Sequence, residues 1–108
     1  MNLGEKVWDS IVKWDYLAKD TIGKQFVRSM DSVAANISEG YGRFHYRESK
    51  HFYYYARGSL LESMTWLQKS FNRELIDIEE FEKLNKEMKT LSIKLNNYIK
   101  TIGKMERK

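Results

Sequence analysis

The chain has 108 residues, 42% of them hydrophobic and 31% charged, with a formal net charge of +4, a balance that fits one globular core and excludes a disordered or two-domain chain. Proline and cysteine are both absent and glycine occurs six times, which argues against a turn-rich all-β fold and excludes disulfides and thiolate metal sites. No apolar run approaches the roughly 20 residues that span a bilayer, and Met1 to Lys6 lack the basic-then-apolar pattern of a secretory signal, so a cytoplasmic, membrane-free protein is expected.

Four stretches carry apolar residues at spacings of three and four, the signature of one helix face. The first, residues 5–19, has Val7, Trp8, Ile11, Trp14 and Leu17 as its stripe, and Asp20 and Thr21 offer oxygens to cap the next start. The second, residues 22–39, carries Phe26, Met30, Val33 and Ile37, and Gly40 and Gly42 are expected to end it through left-handed backbone. The third, residues 46–71, opens on Tyr46, Phe52, Tyr53, Tyr54 and Tyr55, turns small at Ala56, Gly58, Ser59 and Ser63, and resumes with Leu60, Leu67 and Phe71. Small residues at helical spacing allow a neighbouring helix to come close. The fourth, residues 77–102, starts at a capping-box-like Asp77 and Glu80 and holds Phe81, Leu84, Met88, Leu91, Leu95, Tyr98 and Ile102 in a heptad-like seam. The tail from Gly103 to Lys108 is expected to fray. Short connections make the fold class all-α, an antiparallel up-down-up-down four-helix bundle in a single domain covering 1–108.

The sequence offers little chemistry of the catalytic kind. A carboxylate-bridged metal pair in a bundle needs two Glu-x-x-His motifs; the chain has one, Glu48 to His51, and its other histidine, His45, has no glutamate three residues before it. There is no Gly-x-Ser-x-Gly elbow and no phosphate-cradling loop ending in Lys-Ser or Lys-Thr. The expectation is no enzyme, no metal, no cofactor and no small-molecule substrate.

Residues 43–57 carry more information. Arg43, Arg47, Lys50 and Arg57, with His45 and His51, interleave with Phe44, Tyr46, Phe52, Tyr53, Tyr54 and Tyr55 against Glu48 alone. Cations neutralise phosphates and aromatic faces stack on unpaired bases, so this mixture suits structured or single-stranded nucleic acid. Arg43, Arg47 and Lys50, extended by Lys24 and Arg28, are the candidate contacts. An equally physical use is a core whose surplus aromatics form a subunit interface. Asn36, Glu39, Arg57 and Glu62 interrupt apolar faces and are expected to form a structural polar network.

The run Ser32-Val33-Ala34-Ala35-Asn36-Ile37-Ser38-Glu39-Gly40-Tyr41-Gly42-Arg43, followed by Tyr55-Ala56-Arg57-Gly58-Ser59-Leu60-Leu61-Glu62, resembles the four-helix-bundle proteins encoded in intervening sequences of bacterial 23S ribosomal RNA genes. It is also similar to the related accessory variability determinant of diversity-generating retroelements. The layout matches from about Val7 to Ile99, with Ala34 standing where members often have proline. The resemblance implies a ring-like homopentamer and, from the retroelement relatives, a basic surface that binds RNA or DNA. It supplies no catalytic set.

Overall fold

The computed structural model describes residues 2–43 and 45–106, the side chains only as far as Lys104. Phe44, which the sequence placed in the aromatic stretch, and the last two residues of the tail lie outside the described residues. The elements in chain order are α1 (Leu3–Ile11), α2 (Tyr16–Ala18), a π segment (Lys19–Gly23), α3 (Lys24–Tyr41), α4 (Tyr46–Asn72) and α5 (Ile78–Glu106). The backbone stays right-handed helical at Ala18, Lys19, Gly23 and Lys24, so α2, the π segment and α3 form one rod over 16–41. Four rods result, as expected, and among the described residues none is a strand.

The first boundary differs from the sequence reading. The chain breaks at 12–15 rather than at Asp20 and Thr21, because Asp15 takes extended geometry and its Oδ1 accepts from Ala18 N at 2.9 Å, a complete N-cap. Trp14 turns inward at that corner and is 8% exposed. Leu17, assigned to the first stripe, is 73% exposed on the second rod. Thr21 caps nothing: its hydroxyl donates back to Leu17 O at 2.7 Å, the competing bond that loosens a helical ladder. Lys24 N–H then reaches Lys19 O, five residues back.

The other ends have equally local causes. Asn2 Oδ1 accepts from Glu5 N at 2.9 Å to start α1, and Asp77 Oδ1 accepts from Glu80 N at 2.8 Å to start α5. Gly40 does not end α3, and neither Gly40 nor Gly42 is left-handed; Gly42 caps at φ −80°. Gly40 is required by packing instead. A Cβ there would lie 3.0 Å from Tyr53 Cζ and 3.2 Å from Phe52 Cβ. The positive φ belongs to Glu74, at 61°. Leu75 N donates to Ser70 O and Glu74 N to Phe71 O, a Schellman motif with glutamate where glycine is usual. The tail remains helical to Glu106 rather than fraying from Gly103.

Side-chain pairs fix the topology. Arg28 meets Glu62, Ser29 meets Ser63, Ser32 meets Ser59 and Gly40 meets Ser49; numbers rise on α3 as they fall on α4, so the two run antiparallel. Phe71 with Phe81 and Arg57 with Asn96 give α4 and α5 the same relation. The bundle measures 51 × 22 × 22 Å. At 1.5 Å per residue α1 covers only about 14 Å of that length. The core is divided accordingly. Val7, Ile11, Phe26, Met30, Val33, Leu60, Leu67, Leu84 and Met88 are buried together in the half walled by four helices. Tyr53, Ala56, Leu95, Ile99 and Ile102 form a second, smaller cluster in the half walled by three.

Candidate nucleic-acid interface

Antiparallel packing brings the α3–α4 connection, the first turns of α4 and the last turns of α5 to one end of the bundle. Arg43 follows the Gly42 cap; its Nη2 donates to Glu39 Oε2 at 2.8 Å and its Cζ lies 4.7 Å from the Phe52 ring centroid. Arg47 and Lys50 stand three apart on the first turns of α4, Arg47 exposed and Lys50 half-buried. Seven residues after Lys50, Arg57 places its Cζ 4.9 Å from the Tyr54 centroid and donates to Asn96 Oδ1 at 3.1 Å. Cations and aromatic faces therefore meet on two sides of α4, since Phe52 and Tyr54, two residues apart on a helix, point in nearly opposite directions.

The five candidate cations do not converge. Lys24 and Arg28 share one face of α3, but Arg28 lies about 22 Å along that helix from Arg43 at 1.5 Å per residue. Its Nη2 is 2.6 Å from Glu62 Oε2 and its Nε donates to Gln25. Arg43, held on the Phe52 side of α4, shares one end of the bundle with Arg47 and Lys50 on other faces of its first turns, while Lys24 and Arg28 lie farther along α3. Sequence reasoning missed Lys100 and Lys104, which α5 carries to the same end as Arg43. The signal available was topology: an antiparallel fourth helix must finish beside the second connection.

The expected polar network also divides. Asn36 Nδ2 donates to Ser32 O at 2.8 Å, with Ser32 Oγ at 3.1 Å. Glu39 is exposed and serves Arg43, while Arg57 and Glu62 turn to Asn96 and Arg28 rather than to each other. Among the described residues, the polar residues buried as a whole are serines. Ser63 donates to Ser29 at 2.7 Å, Ser29 donates to Phe26 O at 3.0 Å, and Ser49 donates to Gly40 O at 2.8 Å, so small satisfied hydroxyls hold α3 against α4.

The aromatics of 43–57 are more exposed than a core role demands. Tyr53 is 3% exposed, but Tyr46, Tyr54 and Tyr55 are 50%, 40% and 63% exposed. At the bundle end, Tyr41, Tyr46, Tyr53 and Tyr98 line a concave pocket with Gly40, Arg43, Ser49 and Thr101. Tyr98 meets Tyr53 edge to face at 4.9 Å. Burial pushes the Tyr53 phenol above its ordinary pKa; the Ser49 hydrogen bond opposes this and Tyr98 adds to it, so Tyr53 is a neutral floor. Tyr41 and Tyr98 lie outside the 43–57 stretch, and only the fold adds them to it.

Among the described residues, no group of three or more His, Cys, Asp or Glu is placed to hold a metal ion, and Glu48 and His51 are both exposed on α4. No described helix is long and apolar enough to cross a membrane.

Comparison with known proteins gives two positive findings. The family model described as 23S rRNA-intervening sequence protein matches residues 1–97. Among solved structures, a protein of unknown function from the S23 ribosomal protein family of Bacteroides thetaiotaomicron superposes with a TM-score of 0.73 at 22% identity, over 92% of this chain and 99% of that one. At that identity the likeness establishes a shared fold. No curated protein matches the chain.

Proposed function

We propose, starting from the fact that the chain belongs to the 23S rRNA-intervening sequence protein family, that it is a non-enzymatic binding bundle whose basic end engages structured RNA or DNA. The observation that carries this reading is the segregation of charge along the 51 Å axis. Among the residues whose side chains are described, Arg43, Arg47, Lys50, Lys100 and Lys104 stand at one end against Glu39 and Glu48; at the other, Asp15, Asp20, Glu74, Asp77, Glu79, Glu80 and Glu82 stand with Lys13, Lys19, Lys69, Arg73 and Lys83. A polyanion is drawn to the first end in preference to the second. Three phosphates neutralised by Arg43, Arg47 and Lys50 give a log–log salt slope of about −2 to −3. Fluorescence anisotropy with a labelled RNA hairpin between 50 and 200 mM salt checks this. A double R43E/R47E variant should abolish the slope with the helical circular-dichroism signal intact. Equal binding by wild type and variant at low salt would sink the reading.

A second reading, self-association or docking of another protein, is favoured by one face of α4. Tyr54, Gly58 and Leu61 follow each other at helical spacing, with the two large residues 40% and 57% exposed. A Cβ on Gly58 would meet nothing within 4 Å. Mid-helix glycine is worse than alanine by about 1 kcal/mol, and nothing within the chain requires it there. A neighbouring surface approaching closely supplies the reason. Native mass spectrometry of wild type and Gly58→Leu tests it: a multimer that falls to monomer supports the interface, whereas unchanged mass in both removes it.

A further inference from the structure

We infer that the tyrosine-lined pocket at the basic end is a stacking site for a single unpaired nucleobase, so that the nucleic acid preferred is unpaired or bulged rather than fully duplex. This deepens the nucleic-acid reading above and rests on it.

Size comes first. The pocket holds about 230 Å³, more than the roughly 150 Å³ that admits benzene and less than the roughly 300 Å³ at which sites for drug-sized ligands begin. One ring system of nucleobase dimensions fits that interval.

The chemistry of the walls narrows the choice. Tyr41 and Tyr98, 81% and 46% exposed, are accessible phenol rings of the lining, and Tyr53 is its buried one. Phenols combine a π face for stacking with a hydroxyl edge for the polar rim of a base. The apolar lining is aromatic rather than aliphatic apart from Ile102, which suits a flat ring better than an acyl chain. Arg43 stands on the rim, with Arg47 and Lys50 on the adjoining turns of α4. That placement repels a quaternary ammonium, the other common guest of tyrosine cages, and suits the phosphates flanking a base. Two carboxylates adjoin the lining in sequence: Glu39, beside Gly40, is paired to Arg43, and Glu48, beside Ser49, is exposed between Arg47 and Lys50 in the chain.

The site is also built, not incidental. Gly40 lets the Tyr53 ring lie against α3, since a Cβ would sit 3.0 Å from it. Ser49 ties α4 to the Gly40 carbonyl beneath the same ring. Tyr41 itself is a large aromatic that does nothing for the core. An exposed tyrosine at the last position of α3 gains nothing from burial, and its place beside three other tyrosines is what a stacking platform needs.

The test uses fluorescence anisotropy at 50 mM salt with three labelled probes: a 12-nucleotide single strand, the matching duplex, and that duplex with one unpaired nucleotide. Wild type should bind the single strand and the bulged duplex more tightly than the perfect duplex. Tyr41→Ala should weaken the first two about tenfold, within the range measured for one stacked base, and leave the duplex unchanged. Tyr41→Trp, which keeps a stacking face, should restore them. If Tyr41→Ala changes no affinity, or weakens all three probes alike, the stacking site is overturned while the electrostatic reading stands. If wild type binds none of the probes, both fall together.

Discussion

Glu74 holds φ at 61°, a conformation that a side chain disfavours by roughly 1–2 kcal/mol and that glycine adopts freely. Because the Schellman bonds to Ser70 and Phe71 are backbone bonds, Glu74→Gly keeps them and removes the strain. The expected gain is about 1 kcal/mol after the added freedom of the unfolded chain, seen as a rise of roughly 4 °C in melting temperature. Glu80 gives a pH-dependent counterpart. Burial, and then Asp77, push its carboxyl above the usual range, with Lys13 pulling the other way. A carboxylic acid whose folded pKa is raised resists ionisation in the fold, so stability is lost as pH rises from the unfolded value through the folded one. Glu80→Gln should therefore stabilise the protein at pH 7, and the advantage should vanish below pH 4; urea titrations at the two pH values measure it. In the sequence Glu80 reads as half of a capping box, which signals its place at a helix start but not its burial, and nothing marks Glu74 as left-handed.

At the scale of the helices, the sequence stripes named most of the core correctly: Phe26, Met30, Val33, Leu60, Leu67, Leu84 and Met88 are all buried. Periodicity fails at a corner that keeps the spacing. The three-four stripe runs on across the break at 12–15, so it carries Leu17 into the first helix, whereas Leu17 sits on the second. The break at 12–15 contains no glycine or proline to announce it; the cap is a single aspartate, Asp15, where the sequence reading expects Asp20 and Thr21. Gly23 supplies the physical reason, since a Cβ there would lie 2.8 Å from Ile11 Cγ2, and the widened turn presents Gly23 to the end of α1. The π segment amounts to one extra residue in an α-helix. Deleting Asp20 should restore regular pitch while leaving Phe26, Met30 and Val33 facing the core. Deleting Asp31, within regular α3, rotates everything beyond it by about 100°. The first variant should keep a cooperative thermal transition and the second should not, which circular dichroism resolves.

For the whole molecule, the bundle and its antiparallel order were legible because four amphipathic stretches with short links admit few arrangements. The site was legible only in part. Arg43, Arg47 and Lys50 are close in sequence and so share one end of the bundle, whereas Tyr41, Tyr98, Lys100 and Lys104 join that end by folding. Lys24 and Arg28 fell away because a charge tally ignores distance along a helix. The short α1 has a further consequence, one of motion. The five-residue cluster of Tyr53, Ala56, Leu95, Ile99 and Ile102 is enclosed by three helices and is smaller than its neighbour, so opening there exposes less apolar surface and requires less free energy. Backbone amides of α4 around Tyr53 and of α5 around Ile99 should exchange with solvent at least tenfold faster than those around Leu67 and Met88, as deuterium uptake followed by mass spectrometry will show. The end of the bundle that carries the cations and the tyrosines should thus be the end that opens more readily. A bound guest should be detectable as slowed exchange in those turns at concentrations too low to move the melting temperature.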